Sequence, residues 1–330
     1  MKALFLVILV VILMSVVCAR GEPTVVGWQR YTIGLGAWAD GARLYDVQGD
    51  GRIDVVWPRE QAGKVVISYN PGTGVYLPWP STTLYVGPGV EDAFAVDLDN
   101  DGVLDIVSCL ESPEMKIRVS WSHVDPAPKI VSSVGKAWMF GDAMDIDGIN
   151  GPDIVAGSKG SPGVFGWFKT PANARDLAAY IFTGVGTHGW VMSVKPHAGG
   201  VLVTDRRKAT STIDNRGVWF YVPVSGGNGW TGARLGGAGR ECMFADIAAN
   251  GDIYCATYPG DILRISGGAE TIIAKPATAG TGKAVTIADI NGDGVDDLVA
   301  SFVTTLPTQS SVWWRDGFTG AWYDVSGPGV

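Results

Sequence analysis

Histidine is scarce in this chain, and the familiar catalytic signatures are missing. Among 330 residues the histidines are His123, His188 and His197. There is no GxSxG, no HExxH and no glycine-rich phosphate loop opening a helix. That argues against the common serine-hydrolase, zinc-protease and nucleotide-binding designs. Cysteine is as sparse. Cys18 falls in an N-terminal apolar run, which leaves Cys109, Cys242 and Cys255. No CxxC pair occurs, which argues against structural zinc. Cys242 and Cys255 flank an expected hairpin, and whether they are bonded stays open; Cys109 reads as a buried thiol. Basic charge is also short: 25 Lys and Arg stand against 33 Asp and Glu, a net of −8. A nucleic-acid partner is therefore not expected. Long amphipathic helical patterns are absent, residues 172–180 offering one or two turns at most.

Long apolar runs are confined to the N-terminus. Lys2 is followed by an apolar stretch from Ala3 to Val17, then by small residues at Cys18 and Ala19. A basic start, an apolar centre and a small-residue exit predict a secretory signal peptide over residues 1–19. The run is short for a membrane anchor, and Val17 is a poor neighbour for a lipid-bearing Cys18. The mature chain, residues 20–330, is expected as a single domain. It would lie outside the cell, extracellular, periplasmic or at the cell surface, without a membrane span.

What is abundant is a repeat. A short apolar strand, an Asp/Asn/Gly loop and a second apolar strand recur at Asp46 (DVQGDGRIDVV), Asp97 (DLDNDGVLDIV), Asp145 (DIDGINGPDIV), Asp246 (DIAANGDIYC) and Asp289 (DINGDGVDDLV). The period is about 50 residues, with one gap of twice that. In the gap, near residue 195, the strand pattern survives as WVMSVKPHAGGVLVTD and the acidic loop is lost. Downstream of each loop comes a further strand pattern: 64–70, 116–123, 163–170, 217–224, 261–266 and 311–317. Alternation of β-branched or aromatic residues with others marks these as strands. A third element, around Trp28 and Trp79 and again at Trp322, precedes the loops. Each module thus holds about four short strands. Six such modules, with 46 Gly and 18 Pro for turns, predict an all-β chain folded as a β-propeller of six four-stranded blades, with seven as the alternative. The strands at 28–33 and 321–325 read as the same element, so one is surplus. It closes the ring, forms an extra edge or pairs with a second copy.

The DxDxDGxxD loop followed by a short apolar strand resembles the VCBS/FG-GAP repeat of integrin-α-like propellers, over about residue 28 to the C-terminus. The resemblance implies calcium loops. The loop chemistry agrees, because side chains at positions 1, 3 and 5 of a tight glycine turn converge on one point and a carboxylate at position 9 closes the shell. The expected ligands are Asp97, Asp99, Asp101 and Asp105 in one copy and Asp289, Asn291, Asp293 and Asp297 in another. Asp46, Gln48, Asp50 and Asp54 form a weaker set, and Asp145, Asp147 and Asp153 an incomplete one with Ile149 at position 5. The copies at 195 and Asp246 are expected to be metal-free. Fully coordinated calcium here is structural, and calcium is the only cofactor expected.

A ligand is expected at the channel mouth, where each first strand begins. The residues there are Trp38, Asp40, Glu91, Trp138, His188, Trp190, Arg240 and Glu241. They mix acids, bases and aromatics, whereas a purely structural repeat keeps one type. Indole faces suit sugar rings. Trp121, Trp167, Trp219 and Trp313 recur at one strand position and read as packing residues. The leading expectation is an extracellular binding module for a glycan or a protein. A carbohydrate-active lyase or hydrolase using the same mouth, and a structural subunit of an extracellular assembly self-associating through the surplus edge strand, are the alternatives. Fold does not choose among them.

Overall fold

The computed structural model describes residues 31–34, 39, 41–125, 127–131, 134–207, 212–306 and 308–326. The expected signal peptide, most of the strand at 28–33, Trp38 and Asp40 lie outside the described residues. The chain is an all-β propeller. Among the described residues every regular element is a strand or a three-residue 3-10 turn, and no helix is long and apolar enough to cross a membrane.

Two compact units divide the described chain, residues 33–241 and 242–326. In the first, β1 (Arg43–Tyr45), β2 (Asp54–Arg59), β3 (Lys64–Ser68) and β4 (Ser81–Tyr85) form a four-stranded antiparallel meander. A second meander follows: β5 (Val90–Val96), β6 (Asp105–Leu110), β7 (Ile117–Ser120) and β8 (Lys129–Ile130). Next, β9 (Ala137–Met144), β10 (Asp153–Lys169), β11 (Ile181–His197), β12 (Gly200–Asp205), β13 (Gly217–Val224) and β14 (Gly229–Gly236) form one six-stranded sheet. The remaining strands, starting at the unit boundary, make two four-stranded meanders. One is β15 (Glu241–Ile247), β16 (Ile253–Tyr258), β17 (Ile262–Ser266) and β18 (Ala269–Ile273). The other is β19 (Thr281–Ala288), β20 (Asp297–Val303), β21 (Val312–Arg315) and β22 (Trp322–Asp324).

The blade count corrects the expectation of six or seven separate four-stranded blades: four sheets have that form, and the other six strands are continuous. The cause lies in β10 and β11, each 17 residues long. β10 pairs with β9 over 153–159 and with β11 over 159–169, with a register shift between Lys159 and Gly163. β11 then pairs with β12 from Val191 onward, with a shift between Val191 and Ser193. Each strand bends and serves as two, so the module repeat persists while the sheet does not split. Gly157 permits the bend, because a Cβ there would overlap the Val191 side chain.

The second strand of a module carries the densest apolar run because it is covered on both faces. β6 and β12 are buried at every residue, and β2 at all but its last. The outermost strands β8, β18 and β22 are largely exposed. Apolar side chains fill the space between successive sheets. Val56, Val65 and Ile67 pack with Val90, Ala93 and Ile106; Phe94, Val107 and Ile117 pack with Trp138, Ile154 and Phe168. Near residue 195 the acidic loop is replaced by a two-residue turn in which Ala198 and Gly199 both have positive φ (46° and 76°), the backbone of a type I′ hairpin. His197 is exposed and ends the strand that enters this turn. Cys109, Cys242 and Cys255 are buried free thiols.

Candidate functional site

The two ends of each sheet carry different chemistry. At one end lie the Asp/Gly loops, and the sequence repeat is there a geometric repeat. Asp97 accepts the N–H groups of Asp101 and Gly102, both at 3.0 Å, and Asp101 accepts that of Val103 at 2.9 Å. Asp46 does the same for Asp50 (2.9 Å) and Gly51 (2.7 Å), and Asp289 for Asp293 (3.1 Å) and Gly294 (2.9 Å). The turn needs the left-handed backbone of Gly102 (φ 85°), where a side chain would meet nothing, so φ alone selects glycine.

The ninth-position aspartates have a role that the spacing does not reveal. Asp105 accepts Leu98 N–H at 3.0 Å with one oxygen and Ser122 N–H at 2.9 Å with the other. Asp54, Asp153 and Asp297 repeat this bridge to Val47 and Asn70, to Ile146 and Thr170, and to Ile290 and Gly317. Each buried carboxylate ties its own loop to the turn leaving the module's third strand. Burial, then the nearby loop carboxylates, push Asp105 and Asp153 up to about 6.

The carboxylate oxygens of Asp97, Asp99 and Asp101 lie within 4.8 Å of one another, as do those of Asp145, Asp147 and Asp153. Hard oxygen donors gathered in a preformed turn fit a calcium ion. Asp105 is not in the first cluster, whereas Asp153 is in the second. Basic side chains reach the Asp46, Asp145 and Asp97 loops: Arg52 pairs with Asp50, Lys169 with Asp147, and Arg175 with Asp99 and Asp101. In the Asp289 loop, Gln48's counterpart Asn291 donates instead to Asp293 (3.2 Å) and to Asp316 (3.1 Å). Gln48 itself is exposed.

The other end of the sheets in residues 33–241 gathers a mixed-charge rim. First strands begin where second strands finish, as the pairs Val90 with Leu110 and Val191 with Asp205 record. The carboxylates of Glu60, Glu91 and Glu111 therefore meet, their oxygens within 4.8 Å. Lys159 reaches into them, paired with Glu111 and 3.9 Å from Glu91. Its ammonium lies 5.1 Å from the Trp190 ring centre. The Arg206 guanidinium lies 4.8 Å from the same ring and pairs with Glu241 at 3.0 Å. The arrangement offers carboxylates, cations and an indole within one half-buried surface.

Of the residues expected at a ligand, Glu91, Trp190 and Glu241 are on this rim, and Arg240 is exposed in the preceding turn. Trp138 and His188 are not. Trp138 is fully buried between Phe168 and Phe182, with centroids 5.4 and 5.3 Å away. His188 is fully buried, its Nδ1 3.0 Å from Asp205 and its Nε2 3.0 Å from the Tyr221 hydroxyl. Glu60, Glu111, Lys159 and Arg206 were missed by reading only the start of each first strand. They follow or end the second strands, and antiparallel pairing brings them alongside.

Residues 46–108 match the FG-GAP-like repeat model. No curated protein sequence matches the chain. Among solved structures the fold is similar to a gluconolactonase from Xanthomonas campestris, at 11% identity and a TM-score of 0.51, over 84% of this chain and 85% of that one. It is similar also to a chain in the crystal of BBS1N in complex with ARL6DN, at 13% identity and a TM-score of 0.51, over 89% and 91%. At such identities the likeness concerns fold alone, and an enzyme and a chain from a protein complex share it. The repeated loops, the four-stranded meanders and the match agree: the fold is an all-β propeller, and residues 46–108 carry an FG-GAP-like repeat.

Proposed function

We propose that this protein is a secreted, calcium-binding propeller acting as an extracellular binding module for a glycan or a protein. The observation that carries the reading is the rim, where Glu60, Glu91, Glu111, Lys159, Trp190 and Arg206 converge from separate modules. A surface offering hydrogen-bond acceptors, donors and an indole suits a polyhydroxyl ligand or a polar protein loop. The N-terminal apolar run with its small-residue exit supports secretion. Calcium would be held by Asp97, Asp99 and Asp101, by Asp289, Asn291 and Asp293, and more weakly by Asp46, Gln48 and Asp50, with Asp105, Asp297 and Asp54 behind them. Bound there, it would neutralise clustered carboxylates and stiffen turns.

Binding to a panel of polysaccharides and glycans, measured in calcium, tests the rim. Glu111→Gln is expected to weaken the strongest hit about tenfold. An unchanged affinity removes the rim as the site. Paired carboxylates at the rim also suit acid–base work on a sugar, so release of unsaturated or reducing products from the same panel would move the reading to an enzyme. Fibres forming with rising concentration would move it to a structural subunit.

The calcium part has its own test. The melting temperature of the mature protein should rise in calcium relative to chelator, since a ligand held only by the folded state stabilises it. Asp289→Ala should melt lower than wild type in calcium and the gap should narrow in chelator. A melting temperature that ignores calcium leaves these loops as turns only.

A further inference from the structure

We propose that Arg175 is a built-in competitor for calcium at the Asp97 loop, so that calcium fills the Asp289 loop first. This rests on the calcium reading above and adds a ranking opposite to the one that the number of acidic residues per loop suggests. Arg175 lies between β10 and β11, outside the loop it serves. Its Nε is 2.6 Å from Asp99 Oδ2 and its Nη2 3.1 Å from Asp101 Oδ2. The guanidinium is also 5.3 Å from the Trp121 ring centre. Locally, Asn173 holds the segment, its Oδ1 accepting Arg175 N–H at 3.2 Å and its carbonyl accepting Asp176 N–H at 2.9 Å. The cation is thus placed from three sides.

The conflict with calcium is one of shared carboxylates. Asp99 and Asp101 supply positions 3 and 5 of the loop, and calcium needs their oxygens at about 2.3–2.6 Å. A guanidinium donating to those carboxylates competes with a divalent ion among them, because the two cations held side by side repel each other. Calcium must displace Arg175, and its apparent affinity falls by the free energy of the two ion pairs it breaks. Two other loops follow the same logic, Arg52 lying on Asp50 and Lys169 on Asp147. The Asp289 loop differs. Among the described residues no lysine or arginine pairs with Asp289, Asp293 or Asp316, and Asp316 stands beside Asn291 as an added carboxylate. Among the described residues that loop has no paired cation to expel.

Calorimetric calcium titration of the full mature chain tests this. Wild type is expected to show a tighter phase that Asp289→Ala removes and a weaker phase that Asp97→Ala removes. Arg175→Gln should tighten the weaker phase about tenfold and leave the tighter one unchanged. Adding Asp97→Ala to Arg175→Gln should abolish the gain, which assigns it to this loop. Arg175 is more than half exposed, and equal melting temperatures in chelator would confirm intact folding. If both loops bind calcium and Arg175→Gln changes neither phase, the competitor role is wrong and the calcium reading survives. If Asp97→Ala removes the tighter phase, the ranking is wrong. If no variant binds calcium, both fall.

Discussion

Arg43→Ala should lower the unfolding free energy by about 3–5 kcal/mol, read as a large fall in the urea midpoint. Arg43 is on β1, yet its guanidinium reaches two further modules. Nε and Nη2 grip Asp92 on β5 at 3.1 and 2.6 Å, Nη1 meets Asp142 on β9 at 2.8 Å, and Nη2 also donates to the Gly141 carbonyl at 2.6 Å. Asp92 in turn accepts Gly141 N–H at 3.1 Å and is only 2% exposed. Removing the guanidinium strands a buried carboxylate, and that orphaned charge is the main cost. Arg43→Lys should recover little, because an ammonium cannot reproduce the two-pronged grip. Adding Asp92→Ala to Arg43→Ala should cost less than the sum of the two single changes, since neither charge is then left alone. A loss under about 1 kcal/mol for Arg43→Ala would mean that the Arg43–Asp92 pair does not hold these modules together.

Asp205→Ala should be comparably damaging, by about 3–5 kcal/mol. One fully buried carboxylate serves four donors: the N–H groups of Gly189 (2.9 Å), Trp190 (3.0 Å) and Arg207 (2.7 Å), and His188 Nδ1 (3.0 Å). Burial alone would raise this carboxyl, but the His188 hydrogen bond and charge and the backbone N–H groups outweigh it, so it lies below the ordinary aspartate value of 3.8. A depressed folded value means that the stabilisation is full at neutral pH and is lost only as pH falls below that ordinary value. Tyr221→Phe removes one hydrogen bond, at the other ring nitrogen of His188, and should cost only about 1 kcal/mol. That order, measured by chemical unfolding at pH 7, is the check; a Tyr221→Phe loss as large as that of Asp205→Ala would contradict it. Tyr, His and Asp in line resemble a proton relay, but His188 and Asp205 are wholly buried and Tyr221 nearly so. The trio is better read as a fastener in the module that lacks an acidic loop. It holds Trp190 and the strand turn of Arg206 in place at the rim.

The loops were legible because they are local. Asp46, Asp97, Asp145 and Asp289 each act on N–H groups within five residues, and such spacing survives in a sequence. The fastener was not, because His188 lies 17 residues from Asp205 and 33 from Tyr221. Nor was the Arg43 hub, whose carboxylates lie 49 and 99 residues away. The rim was half legible. Strand starts such as Glu91 and Trp190 are visible as pattern, whereas Glu111 and Lys159 join them only once the register is known. The join of the third and fourth modules depended on bends at Gly157 and Val191 that no propensity specifies.

That join bears on how such a chain can change over generations. Propellers gain and lose blades when a module is copied or deleted, and such events are tolerated where the cut falls in a connecting loop. Residues 86–89, between β4 and β5, are a connection that no strand crosses. Between the third and fourth modules there is no equivalent loop, because β11 passes from one to the other without a break. Neither module can be duplicated or excised there without severing a strand, so the pair is a single unit for any such rearrangement.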